Sequence, residues 1–235
     1  MGTHADRTSG TAPGRDFTAA SRDALVEALL SAGPGRPTLC EGWNTEHLAA
    51  HIVLRENSPL VAGLLFPPLA RSLERKTRAL GDSATTPDAY QRLTERVAAG
   101  PQPPARLRGH ARAARISGGI SGRLKDTGAA RKAAQATNLL EFFVHTEDVR
   151  RAQDRWAPRH LADDYANALF AEFTRRARLM YRSEPTGIVL ARSTGQRVVA
   201  RPASRDGSSR TIAGPAGELV MHGFGRRGHA LVLVD

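Results

Sequence analysis

The chain has 235 residues, 40% hydrophobic and 24% charged, which suits a soluble globular protein with a substantial core. No apolar run approaches the ~20 residues of a membrane-spanning helix, and a single cysteine, Cys40, excludes an internal disulfide. The net charge of +11 is almost all arginine, with lysine only at Lys76, Lys125 and Lys132, and suits either an anionic partner or simply an arginine-rich composition.

The opening MGTHADRTSGTAPGRD has no apolar secretory core, and Asp6 stands where a myristoylation signal needs Ser or Thr. Residues 1–14 are small and polar and are expected to be disordered. From Asp16 to about Ser31, Leu25, Val26, Leu29 and Leu30 recur at helical spacing until Gly33 and Pro34 stop the helix. After Pro37, the stretch CEGWNTEHLAAHIVLRE predicts a second helix, capped by Asn44 or Thr45 and running to about Glu56. An apolar stretch, LVAGLLF, then meets Pro67 and Pro68, and the helical segments LARSLERKTRAL and PDAYQRLTERVAA follow.

Residues 101–128 are rich in Pro, Gly and Arg and read as a long basic loop. The longest helical pattern runs from Ala129 to about Gln153, and another, HLADDYANALFAEFTRRARLMYR, follows Pro158. Beyond Pro185 the texture changes: GIVLAR, QRVVAR and RTIA read as short strands, GPAGELVMHGFGRR as a turn and short helix, and HALVLV as a last strand. The expected class is α+β, with a helical bundle over 15–184 followed by a small α/β domain over 185–235. That last piece is too short to fold alone, so it should pack against the helices.

Within the long helix, NLLEFFVHTEDV carries polar groups on an apolar face. With Glu141 as reference on a helical wheel, His145 lies about 40° away, Asn138 about 60° and Asp148 about 20° on the other side. An unpaired buried carboxylate costs several kcal/mol, so something must compensate these groups. The E-x-x-x-H spacing of Glu141 and His145 puts both heads within reach of one divalent ion, and imidazole with carboxylate suits zinc. A third ligand has to come from another helix. His51 faces inward between Leu48 and Leu54, and His47, one turn earlier, is a competing candidate. Two His and one Glu would leave an open coordination position. Cys40 reads as a small buried hydrophobe.

These stretches, WNTEHLAAH over 43–51 and EFFVHTEDV over 141–149, together with the small α/β tail, resemble the mycothiol-dependent maleylpyruvate isomerase group of the DinB-like metal-binding helical bundles. PTLCEGW, FFVHTEDVRRAQ and GELVMHGFGRR resemble an actinobacterial sub-branch of that group whose reaction is unassigned. The resemblance implies a DinB-like four-helix bundle and a zinc-type divalent metal on His51, Glu141 and His145. It also implies mycothiol as thiol cosubstrate, and an arginine from the C-terminal part directed at the substrate, for which Arg226 and Arg227 are the candidates. Arg55, one turn after His51, is expected to meet an anionic ligand or to pair with Asp148. Asp148 and Asn138 would orient the ligands or simply bond between helices.

The function expected from this combination is a cytoplasmic, metal-dependent, thiol-using isomerase or S-transferase acting on small electrophiles. The alternative is a metal-binding or regulatory protein without catalysis. Nucleic acid is not the expected partner, because the basic segment lacks interleaved aromatics and no nucleic-acid motif occurs.

Overall fold

The computed structural model describes residues 16–57, 67–101 and 128–235. The expected disordered terminus, the stretch LVAGLLF and nearly all of the basic segment lie outside these residues. Asp16 opens α1 (Phe17–Ala32): its Oδ1 accepts the backbone N–H groups of Thr18 and Ala19 at 3.0 and 3.1 Å. Gly33, at φ 80°, closes that helix. Next come α2 (Thr45–Asn57), α3 (Pro67–Asp82) and α4 (Pro87–Ala99). Pro67 and Pro68 do not break a helix but open one, in the first turn where a missing N–H costs nothing.

The long helix α5 (Gly128–Arg150) stops three residues before the expected end, and turns lead on to α6 (Asp163–Met180). The strands β1 (Gly187–Arg192), β2 (Arg197–Arg201) and β3 (Ser209–Gly214) form one sheet with β4 (Leu233–Val234), in the order β2-β1-β3-β4. β1 pairs antiparallel with β2 and parallel with β3, and β3 pairs antiparallel with β4. Helix α7 (Ala216–Gly223) packs against α6, β1 and β3. The last strand is much shorter than HALVLV suggested. The carbonyl of His229 is taken by Arg151 and the N–H of Leu231 by Glu218, so this backbone bonds to side chains instead of to a neighbouring strand.

The architecture is mixed α+β, as expected: among the described residues, seven α-helices and a small four-stranded sheet. α1 packs on α5 and α4, and α2 on α3 and α4. One core gathers Leu25, Leu29, Leu48 and Ile52 with Phe142 and Val149 of α5. A second gathers Leu139, Leu140, Phe143 and Val144 of α5 with Phe170, Phe173, Leu190, Ile212 and Leu219. Helix α5 is therefore apolar on two sides, and its polar groups stand along the seams between them.

One seam holds a buried charge cluster. Glu147 accepts from Arg151 at 2.6 Å, Arg159 at 2.7 Å and Arg150 at 2.9 Å, and Arg151 also holds Glu218 of α7 at 2.7 and 2.8 Å. The sheet-and-α7 segment is thereby fixed against α5 both by its apolar face and by paired charges.

Candidate metal centre

The other seam of α5 faces α2. Glu141 and His145 lie one turn apart, with His145 Nε2 3.4 Å from Glu141 Oε2. His51 approaches from α2, its ring centroid 5.3 Å from that of His145, and the Trp43 ring backs it at 5.1 Å. One donor atom from each of His51, Glu141 and His145 lies within 4.8 Å of the other two.

The donor set fits a small divalent ion. Bonds of about 2.0–2.2 Å in a tetrahedron put neighbouring ligand atoms about 3.3–3.6 Å apart. The 3.4 Å between His145 and Glu141 falls in that interval and is long for an N–H···O hydrogen bond.

Asp148, wholly buried, accepts a bond from His145 Nδ1 at 2.9 Å, which leaves Nε2 directed at Glu141 and His51. Arg226 grips the same carboxylate through two bonds, Nε to Oδ1 at 2.8 Å and Nη2 to Oδ2 at 2.7 Å. Cys40, His145 and Asp148 form a second group with converging donors, Cys40 Sγ lying 3.3 Å from Asp148 Oδ2. That side is already served by a cation, since Arg226 Nη2 is also 3.6 Å from the sulfur. Of the two groups, the Nε2 side is the one with room for a metal.

Electrostatics agree with the geometry. Burial and the neighbouring charge on His145 push His51 down to about 3, so it is a neutral imidazole with a free lone pair. Burial would lower His145 too, but its bonds to Asp148, Cys40 and Glu141 hold it well above the ordinary histidine value. Burial would raise Glu141, yet the bond and charge of His145, followed by Arg55, hold it at about 2. Against the same burial, His145 and then Arg226 keep Asp148 at about 2. Without a metal, a proton on His145 joins Arg226 and Arg55 in offsetting the two carboxylates.

His51 and His145 open onto a cavity of about 650 Å³, walled also by Trp43, Glu74, Cys40, Arg226 and Arg227. The turn that brings Trp43 and Cys40 here is held by Trp43 N–H to Cys40 O at 3.0 Å and by Leu39 N–H to Asp148 O at 3.0 Å, with Gly42 at φ 70°. Trp43 Nε1 donates to Glu74 Oε1 at 3.2 Å. Glu74 sits on an ordinary amphipathic helix, and nothing in the sequence marked it. Cys40, expected to be a buried hydrophobe, is instead half-buried at the cavity wall.

His47 turns away to α3, where Nε2 meets Asp82 at 3.0 Å, so it does not compete with His51. Arg55 donates to Asn138 Oδ1 at 2.8 Å and stands 3.7 Å from Glu141; it does not pair with Asp148, whose carboxylate is filled by Arg226. Asn138 thus bonds between helices. Arg227, more than half exposed, lines the cavity and forms an ion pair with Glu184.

No family model and no curated protein matches the chain. The structure, however, is similar to crystal structures of mycothiol-dependent maleylpyruvate isomerase. The fold is shared. A histidine-to-alanine variant of that enzyme superposes with a TM-score of 0.60 at 16% identity, and a second structure of it with 0.58 at 17%. Each alignment covers 93% of this chain and 90% of the other. At such identities the likeness establishes the fold alone.

Proposed function

We propose that this protein holds one divalent metal ion, zinc by the chemistry of its donors, on His51, Glu141 and His145. It uses the ion for thiol-dependent isomerisation or S-transfer on small electrophiles, with a low-molecular-weight thiol of the mycothiol class as cosubstrate. The observation that carries this reading is the convergence of three donors from two helices, two of which, His51 and His145, line an open cavity. A divalent ion there would favour the thiolate form of a bound thiol, the form that adds to an activated double bond or displaces a leaving group.

The chain's own residues would do the rest. Asp148 fixes the His145 imidazole, and Arg226 fixes Asp148. Trp43 offers a flat apolar wall, and Arg227 at the rim supplies positive charge for an anionic substrate. Arg55, beside Glu141, keeps that carboxylate ionised as a ligand. The similarity to a mycothiol-dependent isomerase supports the thiol as cosubstrate.

Elemental analysis tests the reading. About one divalent ion per chain is expected in the purified protein, and His51→Ala or His145→Ala should remove it. Equal metal content in parent and variants would defeat the assignment. In the cobalt-substituted protein an added thiol should shift the visible spectrum; a silent spectrum would favour metal binding without catalysis.

A further inference from the structure

A second cavity, of about 630 Å³, lies between α1, the last turns of α5 and the segment that follows α5. It shares no lining residue with the cavity at the candidate metal centre. Its volume is in the usual range for small-molecule sites, roughly 300–1,000 Å³. On the α1 side Ala24, Ala28 and Ala32 present only methyl groups at four-residue spacing, which keeps the space open.

The walls are strongly basic: Arg36, Arg150, Arg155 and Arg159 line the cavity against one acid, Glu27. Arg150 and Arg159 are held from behind by Glu147. Counting both acids against the four guanidinium groups leaves two positive charges in excess. Those charges sit on Arg36, whose Nε bonds only the neutral Gln153 at 3.3 Å, and Arg155, which has no hydrogen bond or ion pair among the described residues.

Trp156 lines the same cavity. The guanidinium of Arg151 lies 4.7 Å from the ring centroid over one face, and Arg151 is itself locked by Glu147 and Glu218. The indole is thus a fixed, flat wall. A fixed aromatic plane in a cavity that also carries uncommitted guanidinium groups is complementary to a planar ring bearing a negative charge.

We infer that this cavity binds a small anionic molecule with a planar ring, the ring lying against Trp156 and the anionic group meeting Arg36 and Arg155. An aryl carboxylate and a nucleoside monophosphate share that chemistry, and separate titrations distinguish them. The full chain is titrated calorimetrically with benzoate, adenosine 5′-monophosphate and inorganic phosphate. Saturable binding of at least one ring-bearing probe is expected, tighter than phosphate, and the probe that binds names the source.

Arg36→Ala and Arg155→Ala, both at exposed positions, should each weaken binding roughly tenfold. Trp156→Leu should bring the ring-bearing probe down to the affinity of phosphate while leaving phosphate unchanged. Metal content and the thermal midpoint of the arginine variants should match the parent. Absence of saturable binding by both ring-bearing probes overturns the inference. So does binding that survives all three substitutions, even if the metal centre proves correct.

Discussion

Arg226→Ala should loosen the protein and the metal centre together. The Asp148 side chain is 0% exposed and Arg226 supplies two of its bonds, so the substitution strands a buried carboxylate on His145 and Cys40 alone. Removing one partner of a fully buried pair costs about 3–5 kcal/mol. Arg226 is itself 22% exposed, so water can follow into the vacated space, which reduces the expected loss to about 2–3 kcal/mol. In a chain of this size that lowers the thermal midpoint by about 4–12 °C. The melt is run in chelator, so that bound metal adds nothing.

A competition titration with a metal indicator should show affinity reduced about 10–100-fold, because Asp148 no longer holds the His145 ring. Arg226→Lys should rescue only part, having charge without the two-pronged grip. Adding Asp148→Asn to Arg226→Ala should recover stability, since the stranded charge is gone. If the alanine variant melts with the parent and binds metal equally well, Arg226 does not act through Asp148 and the account of this seam is wrong.

Two further outcomes follow from the packing around α7. A Cβ at Gly223 would stand 2.4 and 2.5 Å from Phe173 Cε2 and Cζ, in a core with no room to yield, so Gly223→Ala should cost about 1–3 kcal/mol in urea unfolding. Gly228→Ala, with nothing within 4 Å of the new methyl, should be neutral; equal effects would refute the packing argument. His222, buried beside Tyr181, is held below the ordinary histidine value by burial and then by the charge of Arg227. The unfolded chain therefore binds a proton more readily than the folded one, and stability falls as pH drops through about 6.5. In His222→Phe the thermal midpoint should depend less steeply on pH across that range; parallel profiles would refute the role of His222.

Much of this protein is legible locally. The periodicity of 87–99 and the β-rich text of 187–192 match α4 and β1 residue for residue, because helix and strand patterns are written in near neighbours. The stripe of Glu141, His145 and Asp148 is likewise visible in the chain, since a 3.6-residue repeat places those heads together without knowledge of the fold. What the pattern could not decide was which helix faces them. Helical spacing puts His51 on the inward face of α2 but leaves His47 as a competitor, and only the packing of α2 against α3 removes it by sending His47 to Asp82. The pairing of Asp148 with Arg226, 78 positions away, instead of with Arg55, is tertiary in the same sense. So are Glu74 at the rim and the diversion of residues 229–231 from the sheet to Arg151 and Glu218. Sequence alone determined the helices, the first strands and the polar stripe, since those depend on spacing along the chain. Tertiary structure decided between His51 and His47 as the third donor, the partner of Asp148 and the cavities around α5, since these arise where distant segments compete to satisfy the same buried charges.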